Sequence, residues 1–574
     1  MSSRTPLLLR DADWSSFRRR VESDERLATL REQTIHEATL ILGQPNAERV
    51  LTGKRLLAVT RQVLARSIRL ALAFRLTDDR RYADRFIAES RSACAFSDFG
   101  PHHYLDVGEM SLALVLGLEW FGDEIPDSVQ REIRQALRDR VLDAATPDAW
   151  WWTVESNWSA VCMAGVAAAA LAQPEEHRHH AGQLHRIRQN IDHVFACYEP
   201  DGVYPEGPAY WSYGTTFAVL LIETLKALGE DDMLEGAIGN GFAKSATFRL
   251  LSEGPSLRMF NFYDCHARDA SLDPALFWFD DGAFDTRLLR RQIDLLASAK
   301  GRSRDAYEGA DRYLPLALLW ADRPIPEASP KDPPAVHWLG RGDLEVGIHE
   351  DSATGNYLAF KCGAGNQKHG QLDAGTFVAD LHSRRFALDL GAENYPEVEP
   401  HLPGFWSAKP GSDRWKLIRY QNQFHNTLTV GDHPHDPEGL AKIVDRTDDE
   451  TTTTIDLTAP LGGQARHASR SFTFGDDAIR VVDVVEQPSD AVHWTMLTEA
   501  AVEPASDGFV LTIDDVRIRL RVADAAGVVF STARVDDAIT SYESANPGVT
   551  RLRLTRPPAG VVRFDVTLAP TPSS

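Results

Sequence analysis

The spacing of apolar residues changes once along this chain, and that change limits what the chain can fold into. Up to about residue 320 they recur every three or four positions. The run 55–76 (RLLAVTRQVLARSIRLALAFRL) sets Leu, Val, Ile and Ala on one side and arginines on the other, the mark of an amphipathic helix. Segments 108–121, 158–172, 214–228 and 285–299 read the same way, each bounded by Gly, Pro, Asp or Asn, the usual helix punctuation. Downstream the alternation is every second residue, in 451–459 (TTTTIDLTA), 478–487 (AIRVVDVVEQ), 508–524 (GFVLTIDDVRIRLRVAD), 550–556 (TRLRLTR) and 561–569 (VVRFDVTLA). Short alternating runs split by Gly, Asp and Pro turns predict an antiparallel sandwich. Between the two regimes, near 320–337, lies WADRPIPEASPKDPPAV, whose proline density cannot continue a helix and reads as a linker.

The expected fold is therefore a multidomain α+β chain, with a helical domain over 1–325 and an antiparallel β-sandwich domain over 338–574. A bundle, a solenoid or an (α/α) toroid would each satisfy the helical part. No fixed short period is visible, so a simple repeat is not supported. At 574 residues the chain is too long for one core. With 43% hydrophobic residues and no long polar tract it has enough apolar surface to fold.

Charge and cysteine usage narrow the partners. The net charge of −22 argues against a nucleic-acid partner, since such binding needs a positive footprint. An acidic small ligand stays possible, because a cleft can be locally basic on an acidic protein. The longest apolar run, Val161–Ala172, falls short of the ~20 residues a membrane span needs, so no membrane association is expected. Five separated cysteines (Cys94, Cys162, Cys197, Cys265, Cys362) with no C-x-x-C spacing fit a reducing compartment and give neither a disulfide framework nor a cysteine zinc site. The leucine cluster before Arg10 and Asp11 is too short for a signal-peptide core, so the expected location is the cytoplasm.

Three stretches concentrate polar and aromatic residues. The first, Trp150-Trp151-Trp152-Thr153-Val154-Glu155-Ser156-Asn157-Trp158, precedes an Ala-rich helix. Asn157 either N-caps that helix or projects its amide into a cleft walled by tryptophans, whose faces suit sugar rings. The second runs from Asp201 through Tyr204, Pro205, Glu206, Gly207, Pro208, Tyr210 and Trp211 to Tyr213 and Gly214. Its Gly and Pro content predicts a stiff loop, which either packs its aromatics inward or presents tyrosine hydroxyls to a substrate. The third is Lys368-His369-Gly370-Gln371-Leu372-Asp373-Ala374-Gly375, followed by Asp389-Leu390-Gly391 and then Gln423-Phe424-His425-Asn426-Thr427. These form either a mixed nitrogen and oxygen metal site or a structural polar network, and spacing alone favours the network.

Taken together and in order, Asn157-Trp158 before an Ala-rich helix, DGVYPEGPAYWSYG, KHGQLDAGTF with DLG, and FHNTLTV resemble the heparinase II/III superfamily of polysaccharide lyases. That superfamily includes heparin and heparan sulfate lyases and oligoalginate lyases. The resemblance implies an N-terminal (α/α) toroid, a C-terminal β-sandwich, and β-elimination at a uronic acid in an acidic oligosaccharide. In this chemistry a donor neutralises the sugar carboxylate, a base removes the weakly acidic C5 proton, and an acid protonates the departing O4. The resemblance places Asn157 as the neutralising amide, Tyr210 as base and then acid, and His369 as a second neutralising group or a base for the opposite epimer. A tyrosine base needs its pKa of ~10 lowered by a nearby cation or hydrogen bond. Tyr213, Tyr204, Trp158, Glu206, His103 and Arg414 are the expected substrate contacts. Some relatives hold zinc; the matching positions here are Gln371, Asp389 and His425, and Gln371 departs from the pattern because an amide is a poor zinc ligand. No cofactor is required by the reaction, a structural zinc is the one metal in question, and a homodimer stays open. His102, Asp106, His266, Arg268, Lys416 and Arg419 are weaker candidates for lining a cleft. With no signal segment, imported oligosaccharides and exolytic cutting are expected.

Two other readings compete. A glycoside hydrolase would draw its carboxylate pair from Glu206, Glu109, Asp106 and Asp201. A non-catalytic sugar-binding protein would keep the fold and lose the chemistry.

Overall fold

The computed structural model of the protein describes residues 6–173, 181–266, 271–279, 285–298, 309–322, 335–475, 477–537 and 539–571. Most of the proline-rich linker and Arg268 lie outside these. The chain divides into two compact units, and the division is not a single cut in sequence. One unit comprises Met1–Glu199, Tyr210–Thr247 and Ser271–Glu327; the other comprises Pro200–Ala209, Phe248–Ala270 and Ala328–Ser574. The first is helical and the second is built of antiparallel sheets, as the change of periodicity requires.

The helices in chain order are α1 (Trp14–Ser23), α2 (Ala28–Ile41), α3 (Leu57–Thr77), α4 (Arg80–Cys94), α5 (Leu105–Phe121), α6 (Asp127–Leu137), α7 (Asn157–Leu171), α8 (Ala181–Asn190), α9 (Asp192–Phe195), α10 (Pro208–Leu228), α11 (Asn240–Leu251), α12 (Arg290–Ala297), α13 (Ala317–Trp320) and α14 (Tyr395–Val398). Helices α3, α5 and α7 are buried over most of their length, so an all-round apolar sequence is what they need. The Ala-rich run of α7 has a specific cause. A Cβ on Gly165 would come within 2.4 Å of Gly108 Cα, and one on Gly108 within 2.7 Å of the Val161 carbonyl oxygen. The α5 and α7 backbones therefore touch, and Ser111 Oγ donates to the Gly165 carbonyl at 2.6 Å. Only small residues permit that approach, and it fixes the helix on which Asn157 stands. Among the described residues no helix is long and apolar enough to cross a membrane.

The sheet unit holds β1 (Ala335–Gly340), β2 (Val346–Asp351), β3 (Asn356–Lys361), β4 (Phe377–Leu381), β5 (Arg384–Ala387), β6 (Leu428–Val430), β7 (Lys442–Arg446), β8 (Thr452–Asp456), β9 (His467–Phe474), β10 (Ile479–Glu486), β11 (Val492–Thr498), β12 (Ala501–Ala505), β13 (Gly508–Ile513), β14 (Val516–Val522), β15 (Val529–Arg534), β16 (Thr550–Arg556) and β17 (Val561–Pro570). Strands β1 to β5 form one sheet in sequence order; an eight-stranded sheet runs β12-β13-β14-β17-β10-β9-β8-β7, and a four-stranded one β15-β16-β11-β6. The alternation read at 508–524 folds as a hairpin whose turn sits at Asp514, with φ 52°. On β9, β10 and β17 alternate residues are buried and join one core containing Phe472, Val481, Val485, Phe564 and Val566.

That core contains an ion pair. Arg470 on β9 lies opposite Asp483 on β10, and both are fully buried. The guanidinium makes a fork on the carboxylate at 2.8 and 3.1 Å and also donates to the Gly375 and Asn426 carbonyls. Removing one partner strands the other charge in an apolar interior. Asp483→Ala is expected to destabilise the sheet unit by about 3–5 kcal/mol in denaturant titration, whereas an exposed pair such as Arg517–Glu503 should cost under ~1 kcal/mol.

A second polar pair, with one member buried, gives the fold a pH dependence. His337 and His349 face each other across β1 and β2, with Nδ1 to Nδ1 at 2.8 Å, so one ring donates and the other accepts. Burial first, then the neighbouring His337, pushes His349 down to about 3, while an unfolded imidazole titrates near ~6.5. Between those values the unfolded chain binds the extra proton, so stability is present above ~6.5 and is lost as pH falls toward 3. Denaturant midpoints should drop across that interval, and His349→Gln should flatten the profile.

Candidate active site

In the helical unit the first candidate stretch forms the start of α7. Residues Trp150–Trp152 make a short 3-10 turn; Trp151 stacks on Tyr104 at 4.6 Å, and Trp152 Nε1 donates to the Thr146 carbonyl. Trp150 is 57% exposed, and its ring lies 4.6 Å from that of Trp158, which meets His103 edge-on at 4.9 Å. His103 is oriented by a 2.6 Å contact from Nδ1 to Asp106, whose other oxygen accepts from the Leu56 amide. The structure corrects the N-cap expectation for Asn157. Ser156 has the extended cap conformation, its hydroxyl accepts from the Trp158 amide, and Asn157 is the first residue inside the helix. Asn157 is buried, and among the described residues its Oδ1 accepts no hydrogen bond. No capping duty explains an asparagine there.

Tyr210 stands in the first turn of α10 and Tyr213 in the second, three residues apart and so on one face. Tyr210 is half-buried. Tyr213 donates its hydroxyl to Glu109 Oε1 at 2.8 Å. Glu109, fully buried, also accepts from Arg61 Nε at 3.1 Å and from Arg312 Nε and Nη2, each at 3.1 Å. The two guanidiniums lie 5.2 and 4.9 Å from the Tyr213 ring centre. Burial, then the charge of Glu109, pushes the Tyr213 phenol well above its ordinary value. Tyr213 therefore keeps its proton. Two guanidiniums converge on one carboxylate in this group, one helical turn from Tyr210.

In the sheet unit the loop 200–209 contributes Tyr204 and Glu206, both buried, and Asp201, which pairs with Arg341 at 3.1 Å. His369 takes a left-handed conformation, φ 59°, uncommon for a side chain of this size. Its Nδ1 lies 2.9 Å from Asp264 Oδ2, and its Nε2 is 3.9 Å from Glu206 Oε1. The Tyr395 hydroxyl is 3.4 Å from the same Nδ1. Arg414 Nη2 reaches Asp264 Oδ2 at 3.1 Å, and its Nε donates to the Gly370 carbonyl at 2.9 Å. Burial opposes ionisation of Asp264, but Arg414 and then the hydrogen bond to His369 hold its carboxyl well below the usual carboxylate range. The anion stays in place at neutral pH and fixes which ring nitrogen of His369 carries the proton. Arg414, expected as a substrate contact, is 3% exposed and committed to this network. Arg419 is likewise engaged, with Glu393 at 3.2 Å, and Lys416 with Asp413 at 2.5 Å. His266 makes a backbone bridge to Gly391.

The three candidate zinc positions do not assemble a zinc set. Asp389 Oδ1 accepts from the Gly391 amide and its Oδ2 faces His425 Nδ1 at 2.9 Å. Gln371 Nε2 donates to the Tyr263 carbonyl at 2.8 Å and to Asp264 Oδ1 at 3.3 Å. The atoms left over, His425 Nε2 and Gln371 Oε1, are one imidazole nitrogen and one amide oxygen, and an amide is a poor zinc ligand. Among the described residues no group of three or more His, Cys, Asp or Glu is placed to hold a metal ion.

Sequence reasoning missed Asp264, Tyr395 and the Arg61–Glu109–Arg312 cluster. Asp264 sits two residues before His266 in FYDCHARD, a stretch read for its cations; its carboxylate is the group that meets His369 and Arg414. Glu109 was legible only as a hydrolase acid, and its hydrogen bonds commit it elsewhere.

Known proteins share this architecture. Residues 345–559 match the family model "Heparinase II/III-like, C-terminal". No curated protein matches the chain in sequence. Among solved structures, a heparinase III gene product is 15% identical with a TM-score of 0.58, covering 90% of this chain and 79% of its own. The heparan sulfate lyase of Pedobacter heparinus is 13% identical with a TM-score of 0.58, covering 97% and 87%. The chondroitin AC lyase of Streptomyces coelicolor A3 is 13% identical with a TM-score of 0.55, covering 98% and 83%. Residues 345–559 thus match a heparinase II/III-like C-terminal domain, on a chain that shares the fold of these three proteins over nine-tenths or more of its length.

Proposed function

We propose that the protein is a polysaccharide lyase that cleaves uronate-containing acidic oligosaccharides by β-elimination. The observation that carries the reading lies in the helical unit. It combines an asparagine with no capping duty beside a partly open tryptophan pair, and a half-buried tyrosine one turn from two converging guanidiniums. The Asn157 amide donates to the uronate carboxylate, so that charge developing at C5 spreads into it. Tyr210, as phenolate, takes the C5 proton and returns a proton to O4 as the bond to carbon breaks. Tyr213 cannot substitute, because it donates to Glu109. His369, with Nδ1 held by Asp264, offers Nε2 as a second neutralising or basic group. The step needs no metal, since the carboxylate is met by side-chain donors.

The hydrolase reading is weakened by the same geometry, because Glu109 and Asp106 are already committed to hydrogen bonds. Heparin- or heparan-type and alginate-type oligosaccharides are the first substrates to try, with exolytic cutting inside the cell as the working picture. The test is a panel of heparan sulfate, heparin, hyaluronan, chondroitin, alginate and polyglucuronate oligosaccharides, read by the ultraviolet absorbance of the unsaturated uronate. Absorbance growth with at least one member supports the reading; cleavage with no absorbance change contradicts it.

A further inference from the structure

In the sheet unit one large aromatic stands open beside His369 without being part of any core. Trp406 is 50% exposed, although a ring of that size gains most by burial. It is not loose. Its Nε1 donates to Glu399 Oε1 at 2.9 Å. Its ring meets Tyr395 at 4.9 Å and 70°, Phe405 at 4.8 Å and 70°, and His369 at 6.1 Å and 85°. The segment carrying it is pinned by Gly404 N donating to Asp413 at 2.9 Å and by Trp415 Nε1 donating to the Lys409 carbonyl at 2.9 Å. Phe405, the preceding residue, lies in a small core with Val398, Leu402, Leu417 and Tyr420. The chain thus anchors one aromatic of the pair and holds its neighbour rigidly in the open, next to the histidine whose tautomer Asp264 sets.

We infer that Trp406 is a sugar-stacking platform, on which the apolar face of a pyranose ring rests while the acidic groups of the oligosaccharide face the His369 side. This rests on the proposed lyase reading for the choice of ligand, an acidic oligouronide. A rigid indole suits that ring because it offers a flat apolar area whose ordering entropy is already spent, and it demands no particular pattern of hydroxyls. Trp406 is therefore a binding residue that sets the grip on substrate, and the proton transfers proceed without it.

The experiment is calorimetric titration of the panel oligosaccharides into the full-length protein, its Trp406→Ala and its Trp406→Phe variants, beside their melting temperatures and the kcat and KM of any member cleaved. Trp406→Ala is expected to weaken binding about tenfold, the loss of one well-placed contact, and to raise KM similarly with kcat within about twofold. Trp406→Phe should restore most of the affinity. Binding by Trp406→Ala at wild-type strength, no advantage of Phe over Ala, or no binding of any oligosaccharide by the wild type would each overturn the platform. Binding that is lost with Trp406 in a protein that cleaves nothing would retain the platform and remove the lyase reading instead.

Discussion

Tyr210→Phe is expected to lower turnover of a uronate oligosaccharide by about a thousandfold or more while leaving binding and melting temperature close to wild type. The size follows from the double duty assigned to this hydroxyl. Positioned acid or base catalysis contributes roughly 10²–10⁴-fold for one proton transfer, and here one group serves both transfers. The small effect on folding follows from its place: Tyr210 is half-buried in the first turn of α10, and phenylalanine keeps the ring. Tyr213→Phe makes the informative contrast. That hydroxyl donates to the fully buried Glu109, so its removal subtracts a hydrogen bond from a charged cluster and should act mainly on stability, by about 1–3 kcal/mol. If Tyr213→Phe silenced turnover at unchanged stability while Tyr210→Phe did not, the two roles would have to be exchanged.

Asp264→Asn should lower kcat by about 10–100-fold with KM within about threefold, the usual scale for a residue that orients another group. The carboxylate holds His369 Nδ1 at 2.9 Å and Arg414 at 3.1 Å. An amide keeps the shape but loses the charge, so the proton on His369 is no longer assigned to Nδ1 and Arg414 loses its counter-ion. Because Arg414 is buried, the melting temperature should fall as well, and rates are best compared well below it. Arg414→Lys, which keeps a charge but not the planar fork, should give a smaller loss in the same direction. An unchanged kcat in Asp264→Asn at a temperature where it is folded would remove Asp264 from the mechanism.

How much of the fold and the site was legible in the sequence depended on whether a signal was local. The helical and sheet regions were readable because side-chain period is a property of consecutive residues, as in 55–76 and 478–487. Tyr210 and Asn157 were singled out by their surroundings, a Gly/Pro-rich stretch and a tryptophan run; the stiff loop expected over 201–214 holds only up to Gly207, because Pro208 opens helix α10 and carries Tyr210 and Tyr213 with it. The cap at α7 was misassigned because Ser156 and Asn157 are both good caps, and only the backbone shows which one is extended. Asp264 was missed because its partners, His369 and Arg414, are more than a hundred residues away, and nothing in FYDCHARD announces them. Arg414 was read as a substrate contact for the same reason. Burial is set by tertiary packing, and a guanidinium in a loop looks alike in sequence whether it faces solvent or a carboxylate. The zinc positions illustrate the converse: Asp389 and His425 do come together, but as a hydrogen-bonded pair that already satisfies the aspartate.

The central claim is that the protein breaks a glycosidic linkage by elimination and adds no water. Cleavage of the best panel substrate in heavy-oxygen water, followed by mass spectrometry of both fragments, tests it most directly. Elimination predicts fragments whose masses sum to that of the substrate, no heavy oxygen in either, and a double bond in the uronate fragment, all lost in Tyr210→Phe. Fragments one water heavier in total and carrying the heavy oxygen would show hydrolysis, and the roles assigned to Asn157 and Tyr210 would be wrong.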